Sequence, residues 1–152
     1  MRDVEAIEAY LHAHIPLSAQ MGVTVVEAGA AGVRLRAPLG PNVNHRGTVF
    51  GGSASALAIL AGWTYVHANL AAAPFPVRIV IRRNEIAYDR PIEGTFEAVC
   101  PPPPAGAWEV FTETLARRSK ARVELRVTLR SGGADVATFA GTYVALRTAE
   151  ST

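Results

Sequence analysis

The stretch Asn42–Trp63, NVNHRGTVFGGSASALAILAGW, gathers most of the residues in this chain that are equipped for chemistry. Gly51 and Gly52 open a long apolar run of helical composition. The first backbone N–H groups of a helix are unpaired and lie at the positive end of its dipole. Glycine at both places leaves no side chain to obstruct an approaching carbonyl. Two such amides would hold the oxyanion that develops when water attacks an acyl carbon, and one donor of this kind is worth roughly 10²–10³ in rate in other enzymes. The plainer reading is that the glycine pair permits close packing of helix on sheet. Asn44 carries an amide that both donates and accepts, so it would hold a water or a carbonyl, or else shape a turn. Ser53 would assist the oxyanion or the water. GGSASA lacks the G-x-S-x-G spacing of a nucleophile elbow, so neither Ser53 nor Ser55 is read as a nucleophile.

Activating the water needs a base, and Asp89, in AYDRPIEG, is the leading carboxylate. A regular strand sets Ile86, Tyr88 and Arg90 on one face and Ala87 and Asp89 on the other. Asp89 would then reach a helix or a neighbouring subunit, or lie solvated at a strand end as aspartate usually does. Glu85 is a weaker candidate of the same kind. Thr64 and His67 read as satisfied polar residues of the long helix, and His45 as a loop residue. No set of His, Cys or carboxylates has metal-ligand spacing, so no metal is expected.

The elements that position these residues follow from periodicity. Val4, Ile7, Leu11 and Ile15 predict an amphipathic helix over about 3–14, interrupted by Pro16. GVTVVEAG and VRLRAPL, joined around Ala30 and Ala31, predict a hairpin of half-buried strands. The long helix is expected over about 51–70, stopped by Pro74 and Pro76. VRIVIRRNEIAYDRPIEGTFEAVC then reads as two strands hinged near Pro91–Gly94. Pro101–Pro104 must end the second of them, because proline cannot donate to a ladder. Trp108, Phe111 and Leu115 mark AWEVFTETLARR as a short helix. Last comes a hairpin in which Val123, Leu125, Val127 and Leu129 alternate with polar residues before a Ser131-Gly132-Gly133 turn. One apolar helix enclosed by an antiparallel sheet is an α+β architecture. At 152 residues in one domain (1–152) it is the hotdog arrangement, in which the sheet wraps the helix.

Bulk properties exclude several classes. A net charge of +2 with 7% aromatics does not suit a nucleic-acid protein. No charged residue lies between Arg46 and Arg78, but Gly51, Gly52 and Gly62, several polar groups and an alanine-rich filling argue for a buried helix over a membrane span. Cys100 is the only cysteine; it excludes an internal disulfide and suits a reducing cytoplasm. Arg122, Arg126 and Arg130 share a strand face with Glu124 and Thr128. They make either a solvated outer face or a basic surface for coenzyme A phosphates or an acidic acyl carrier protein.

HIPLSAQMGV and APLGPNVNHRGTVFGGSASALAILAGW resemble the YiiD C-terminal-type thioesterase domains of the hotdog superfamily, over about Ile7–Leu146. The carriers are Asn-x-x-Gly-x-x-x-Gly-Gly before a long apolar helix, together with P-N-x-N, G-T-x-F-G-G-S and A-G-W. In the phenylacetyl-CoA-type relatives the loop reads Asn-x-x-Gly-x-x-His-Gly-Gly, with a carboxylate further along the helix and a site between two subunits. Asn44, Gly47, Gly51 and Gly52 match that pattern. Phe50 stands in place of the histidine and Ile59 in place of the acid. The resemblance implies a hydrolase of acyl-CoA or acyl-carrier-protein thioesters, with coenzyme A only as part of the substrate and no other cofactor. It also implies a homodimer or dimer of dimers, with Gly47, Phe50 and Ser53 beside the substrate. The alternative is an acyl-thioester binding domain that keeps the pocket and lacks a base.

Overall fold

The computed structural model describes residues 3–149. Helix α1 (Val4–His14) starts on Asp3, whose carboxylate accepts from the Glu5 and Ala6 amides at 3.0 and 3.2 Å. Pro16 does more than interrupt it. It occupies the first turn of a second helix, α2 (Pro16–Gln20), where its missing N–H removes no bond. Strands β1 (Thr24–Gly29) and β2 (Gly32–Ala37) form the expected first hairpin. The central helix α3 runs Gly51–Leu70. β3 (Val77–Tyr88), β4 (Phe96–Cys100), α4 (Ala107–Arg118), β5 (Lys120–Ser131) and β6 (Ala134–Arg147) follow. Gly132 and Gly133 both take positive φ, 58° and 79°, the backbone that a two-residue hairpin turn requires.

The six strands make one antiparallel sheet in the order β1-β2-β4-β5-β6-β3, and α3 touches all of them. This is the hotdog fold. Inward residues of every strand close on α3, which is buried on most of its circumference from Ala54 to Ala68. Among the described residues no helix is long and apolar enough to cross a membrane. The β6 strand approaches α3 so closely that Gly62 lies directly against the Tyr143 ring. The Tyr143 hydroxyl donates to the Ile59 carbonyl at 2.6 Å, and burial drives its ionisation far above the usual tyrosine range. Cys100 is also buried, and burial pushes its thiol up to about 12, which removes it as a nucleophile.

The two sheet edges differ. At β1, the Glu8 carboxylate accepts from Val25 N and His12 Nε2 donates to Val23 O, both at 2.8 Å. The β3 edge is twelve residues long and bulges between Ile81 and Arg83. Trp63 of α3 donates its indole N–H to the Ile79 carbonyl at 3.2 Å. Its ring also closes a stack with His67, Tyr10 and His14 that ties α1 to α3. His67 is held below the ordinary histidine value, first by burial and then by His14, so it packs here as a neutral ring. Thr64 is satisfied within α3 by the Leu60 carbonyl at 2.7 Å.

Candidate active site

The loop before α3 is built by two asparagines. Asn42 is 2% exposed; its amide nitrogen donates to Met21 O and Pro38 O at 2.9 and 2.8 Å. Its backbone carbonyl accepts from Phe50 N at 2.8 Å, and a Val43–Val49 bridge closes the loop above it. Asn44 makes the turn inside this bridge. Its Oδ1 accepts from Arg46 N (2.8 Å) and Thr48 N (3.1 Å), its Nδ2 donates to Thr48 Oγ1 (2.9 Å), and its own N–H donates to Thr48 O (2.7 Å). Gly47 completes the turn at φ +80°, with nothing within 4 Å of where a Cβ would stand. Gly47 is therefore required by the backbone and not by close packing.

These bonds change what Asn44 can offer. Both acceptor positions of its oxygen are taken, so it cannot receive a proton from water. One N–H of Nδ2 is left. Asn44 is a turn-former with a single donor to spare.

The loop delivers the chain to α3 with Phe50 as the residue before the helix and no side-chain cap. Ser53 N and Ala54 N both bond the Phe50 carbonyl. Among the described residues the Gly51 and Gly52 N–H groups have no acceptor. Two exposed aromatic rings flank them. Phe50, 57% exposed, folds its ring over Gly52 so closely that a Cβ there would overlap it. Tyr88, 53% exposed, donates its hydroxyl to Gly51 O at 3.0 Å and lies 3.6–3.7 Å from where a Gly51 Cβ would stand. The closest approach of helix to sheet falls to Gly62 further along α3. At Gly52 the absent side chain makes room for the Phe50 ring, whereas at Gly51 a Cβ would meet Tyr88 only at ordinary contact distance.

Asn44, Gly47, Phe50, Gly51, Gly52 and Ser53 are accordingly brought together at one end of α3. Ser53 Oγ has no partner among the described residues. Asp89 follows Tyr88 and so leaves the sheet at this same end; its N–H and that of Arg90 both bond the Val136 carbonyl. Its side chain is exposed and has no ion-pair partner among the described residues. Glu85 pairs across from Ala140 on the outer face of the sheet, away from α3. Ile59 is half-buried mid-helix, and α3 itself carries no acidic residue. Of the three strand-face arginines, Arg130 meets Asp135 at 3.1 Å and Arg126 approaches Glu124 at 3.8 Å, both largely exposed.

Two members of this arrangement escaped the sequence reading. Tyr88 is one: alternation set it on the same strand face as Ile86, but a hydroxyl bond to a residue 37 positions away has no local signal. Asn42 is the other, visible only as the first asparagine of P-N-x-N.

The fold has close counterparts. A protein of unknown function from Chlorobaculum tepidum TLS superposes with a TM-score of 0.90 at 25% identity, over 95% of this chain and 94% of its own. A protein described as a putative thioesterase from Shewanella oneidensis gives 0.84 at 28%, over 94% and 96%. Thioesterase HI1161 of Haemophilus influenzae shares the fold at 0.77 and 14%, over 99% and 94%. Residues 4–147 match the domain family described as "Putative thioesterase (yiiD_Cterm)", and the chain belongs to that family.

Proposed function

We propose that this chain is a cytoplasmic hydrolase of acyl-CoA or acyl-carrier-protein thioesters, working with water and no metal or redox cofactor. The observation that carries the proposal is the uncapped start of α3. Two glycine N–H groups without acceptors stand between two aromatic rings, on a thioesterase-family fold. The thioester carbonyl oxygen accepts from Gly51 N and Gly52 N, with the spare Asn44 Nδ2–H as a third donor. Phe50, Tyr88 and the exposed Val43 give the acyl and pantetheine portions an apolar collar. Water attacks the carbonyl carbon, the carbon–sulfur bond breaks, and the thiolate leaves. The proton lost by the water passes to Asp89, the carboxylate that leaves the sheet at this end.

A second reading, a binding domain without turnover, is favoured by one feature: among the described residues no titratable side chain is bonded to the Gly51–Ser53 turn apart from the Tyr88 phenol. Purified protein assayed for thiol release over a series of acyl-CoA chain lengths separates the two. Turnover is expected, with Asp89→Asn lowering kcat several-fold and flattening the pH–rate profile. Saturable binding without thiol release at every chain length would establish the binding domain instead.

The site is completed, on this proposal, by a second copy. The β1 edge is closed by Glu8 and His12, whereas β3 ends the sheet as a long strand with Val80 and Tyr88 exposed. Edge-to-edge pairing of two β3 strands would hide it. Such pairing also brings a second chain beside Tyr88 and the start of α3. Sedimentation at micromolar concentration should show a dimer or dimer of dimers, and a monomer there would refute the shared site.

A further inference from the structure

Strand β5 is paired on both sides along only part of its length. β4 meets it from Val99 opposite Thr128 to Phe96 opposite Ser131. Beyond Cys100 the chain enters Pro101–Pro104, four residues with no N–H to extend a ladder. The register decides which backbone groups this leaves open. Arg147 N donates to Ser119 O at 2.9 Å, so the odd-numbered residues of β5 turn their backbone groups toward β6. Those of Arg122, Glu124 and Arg126 turn the opposite way. They open on a groove of about 1080 Å³ walled by the proline run and floored by α4, with Val110, Phe111 and Thr114 on its lining. Among the described residues no side chain bonds these backbone groups.

The groove is remote from the start of α3. Trp108 of α4 packs edge-on against Tyr65, fourteen residues along α3 from Gly51, which is about 21 Å at 1.5 Å per residue. It therefore belongs to a different surface from the proposed active site, and the inference drawn from it is independent of that proposal.

We propose that the free edge of β5 accepts an extended, acidic segment of another protein as an added strand. Added strands gain affinity from main-chain bonds and specificity from alternate side chains. Three residues of β5 offer those bonds here. Charge selects the partner. Arg122 and Lys120 have no carboxylate partner among the described residues, and Arg126 has only the exposed Glu124 at 3.8 Å. Lys120, Arg122 and Arg126 against Glu124 give the edge a net charge of +2. A second copy of the same edge would set two positive strands side by side, which is unfavourable. A strand alternating carboxylates with small apolar residues fits instead. Its carboxylates lie beside Arg122 and Arg126 on the outer face, and its apolar side chains turn inward over Val110 and Phe111.

The test uses the full chain and a labelled, end-blocked nine-residue peptide alternating glutamate and valine, followed by fluorescence anisotropy. Saturable binding is expected. It should weaken about tenfold or more when the peptide amides on the bonding edge are N-methylated, since about one hydrogen bond's worth of net energy corresponds to that ratio. A lysine–valine peptide should bind about tenfold more weakly still, and the double variant Arg122→Glu, Arg126→Glu should reverse the order of the two peptides. Both substitutions are on exposed side chains, so an unchanged melting temperature certifies the fold. Absence of saturable binding would overturn the proposal, as would binding indifferent to N-methylation or to charge reversal. Self-association that the charge-reversed variant alters would assign the edge to a second copy and overturn it as well.

Discussion

Gly62→Ala is expected to destabilise the fold by about 1–2 kcal/mol, although helix propensity alone forecasts the opposite sign. Alanine is favoured over glycine inside a helix by roughly 1 kcal/mol, and Gly62 sits well within α3. The added methyl, however, would overlap the Tyr143 hydroxyl and stand within 2.6 Å of its ring carbons. Tyr143 has nowhere to go. It is fully buried, its hydroxyl is bonded to Ile59 O, and its strand is held by Val123 of β5 on one side and Ile81 of β3 on the other. Behind it, Gly141 is already filled by the Phe139 ring, whose atoms lie 2.8–2.9 Å from where a Cβ would stand. The sheet must therefore move away from α3, and overpacking of this kind typically costs about 1–3 kcal/mol and occasionally more. For a chain of this size each kcal/mol is about 2–4 °C in Tm, so a fall of roughly 2–8 °C should be seen by calorimetry. The Tyr143→Phe background removes the most crowded atom, and there the same substitution should be milder by about 1 kcal/mol. An unchanged or raised Tm for Gly62→Ala would show that β6 is not held against α3 as described.

Those contacts also mark where sequence reading stops. The bounds of α3 were legible because Gly-Gly starts it and Pro74 and Pro76 follow it, all within one stretch of chain. The α4 helix was legible from Trp108, Phe111 and Leu115, and the last hairpin from strict alternation and two adjacent glycines. Pro16 shows the limit of a local rule, since a residue that ends one helix served equally to begin the next. The order of strands, the bulge after Ile81 and the seating of Tyr143 on Gly62 depend on partners tens of residues away. No local period encodes them. The candidate site divides the same way. Its loop half, Asn44 to Ser53, is contiguous and was readable; its strand half, Tyr88, reaches Gly51 only through the folded sheet. Phe50 could be noted as the residue in place of a histidine, but its covering of Gly52 follows from the side-chain packing of the folded loop.

Asn44→Asp should lower kcat by about tenfold to a hundredfold with little change in Tm, whereas Asn44→Ala should lower both. The distinction comes from what the Asn44 side chain does. Its oxygen holds the Arg46 and Thr48 amides, and its nitrogen holds Thr48 Oγ1. Alanine deletes all three bonds, so the turn that carries Phe50 and the start of α3 loosens, at about 1 kcal/mol per hydrogen bond lost. Aspartate keeps the two acceptor bonds, and the Thr48 hydroxyl can turn to donate to its second oxygen, so the turn survives. What aspartate cannot supply is the remaining amide N–H, and it adds a negative charge beside the place where the oxyanion forms. Loss of one donor at such a position is worth roughly 10²–10³ in kcat elsewhere. The lower range is expected here, because Gly51 N and Gly52 N remain. The measurement is kcat and KM for Asn44→Asp, Asn44→Ala and the unaltered protein on one acyl-CoA that the latter hydrolyses, with melting curves in parallel. A donor acting on the developing charge lowers kcat and kcat/KM together. If Asn44→Asp retains full kcat, Asn44 is a turn residue only, and the oxyanion rests on the two glycine amides alone.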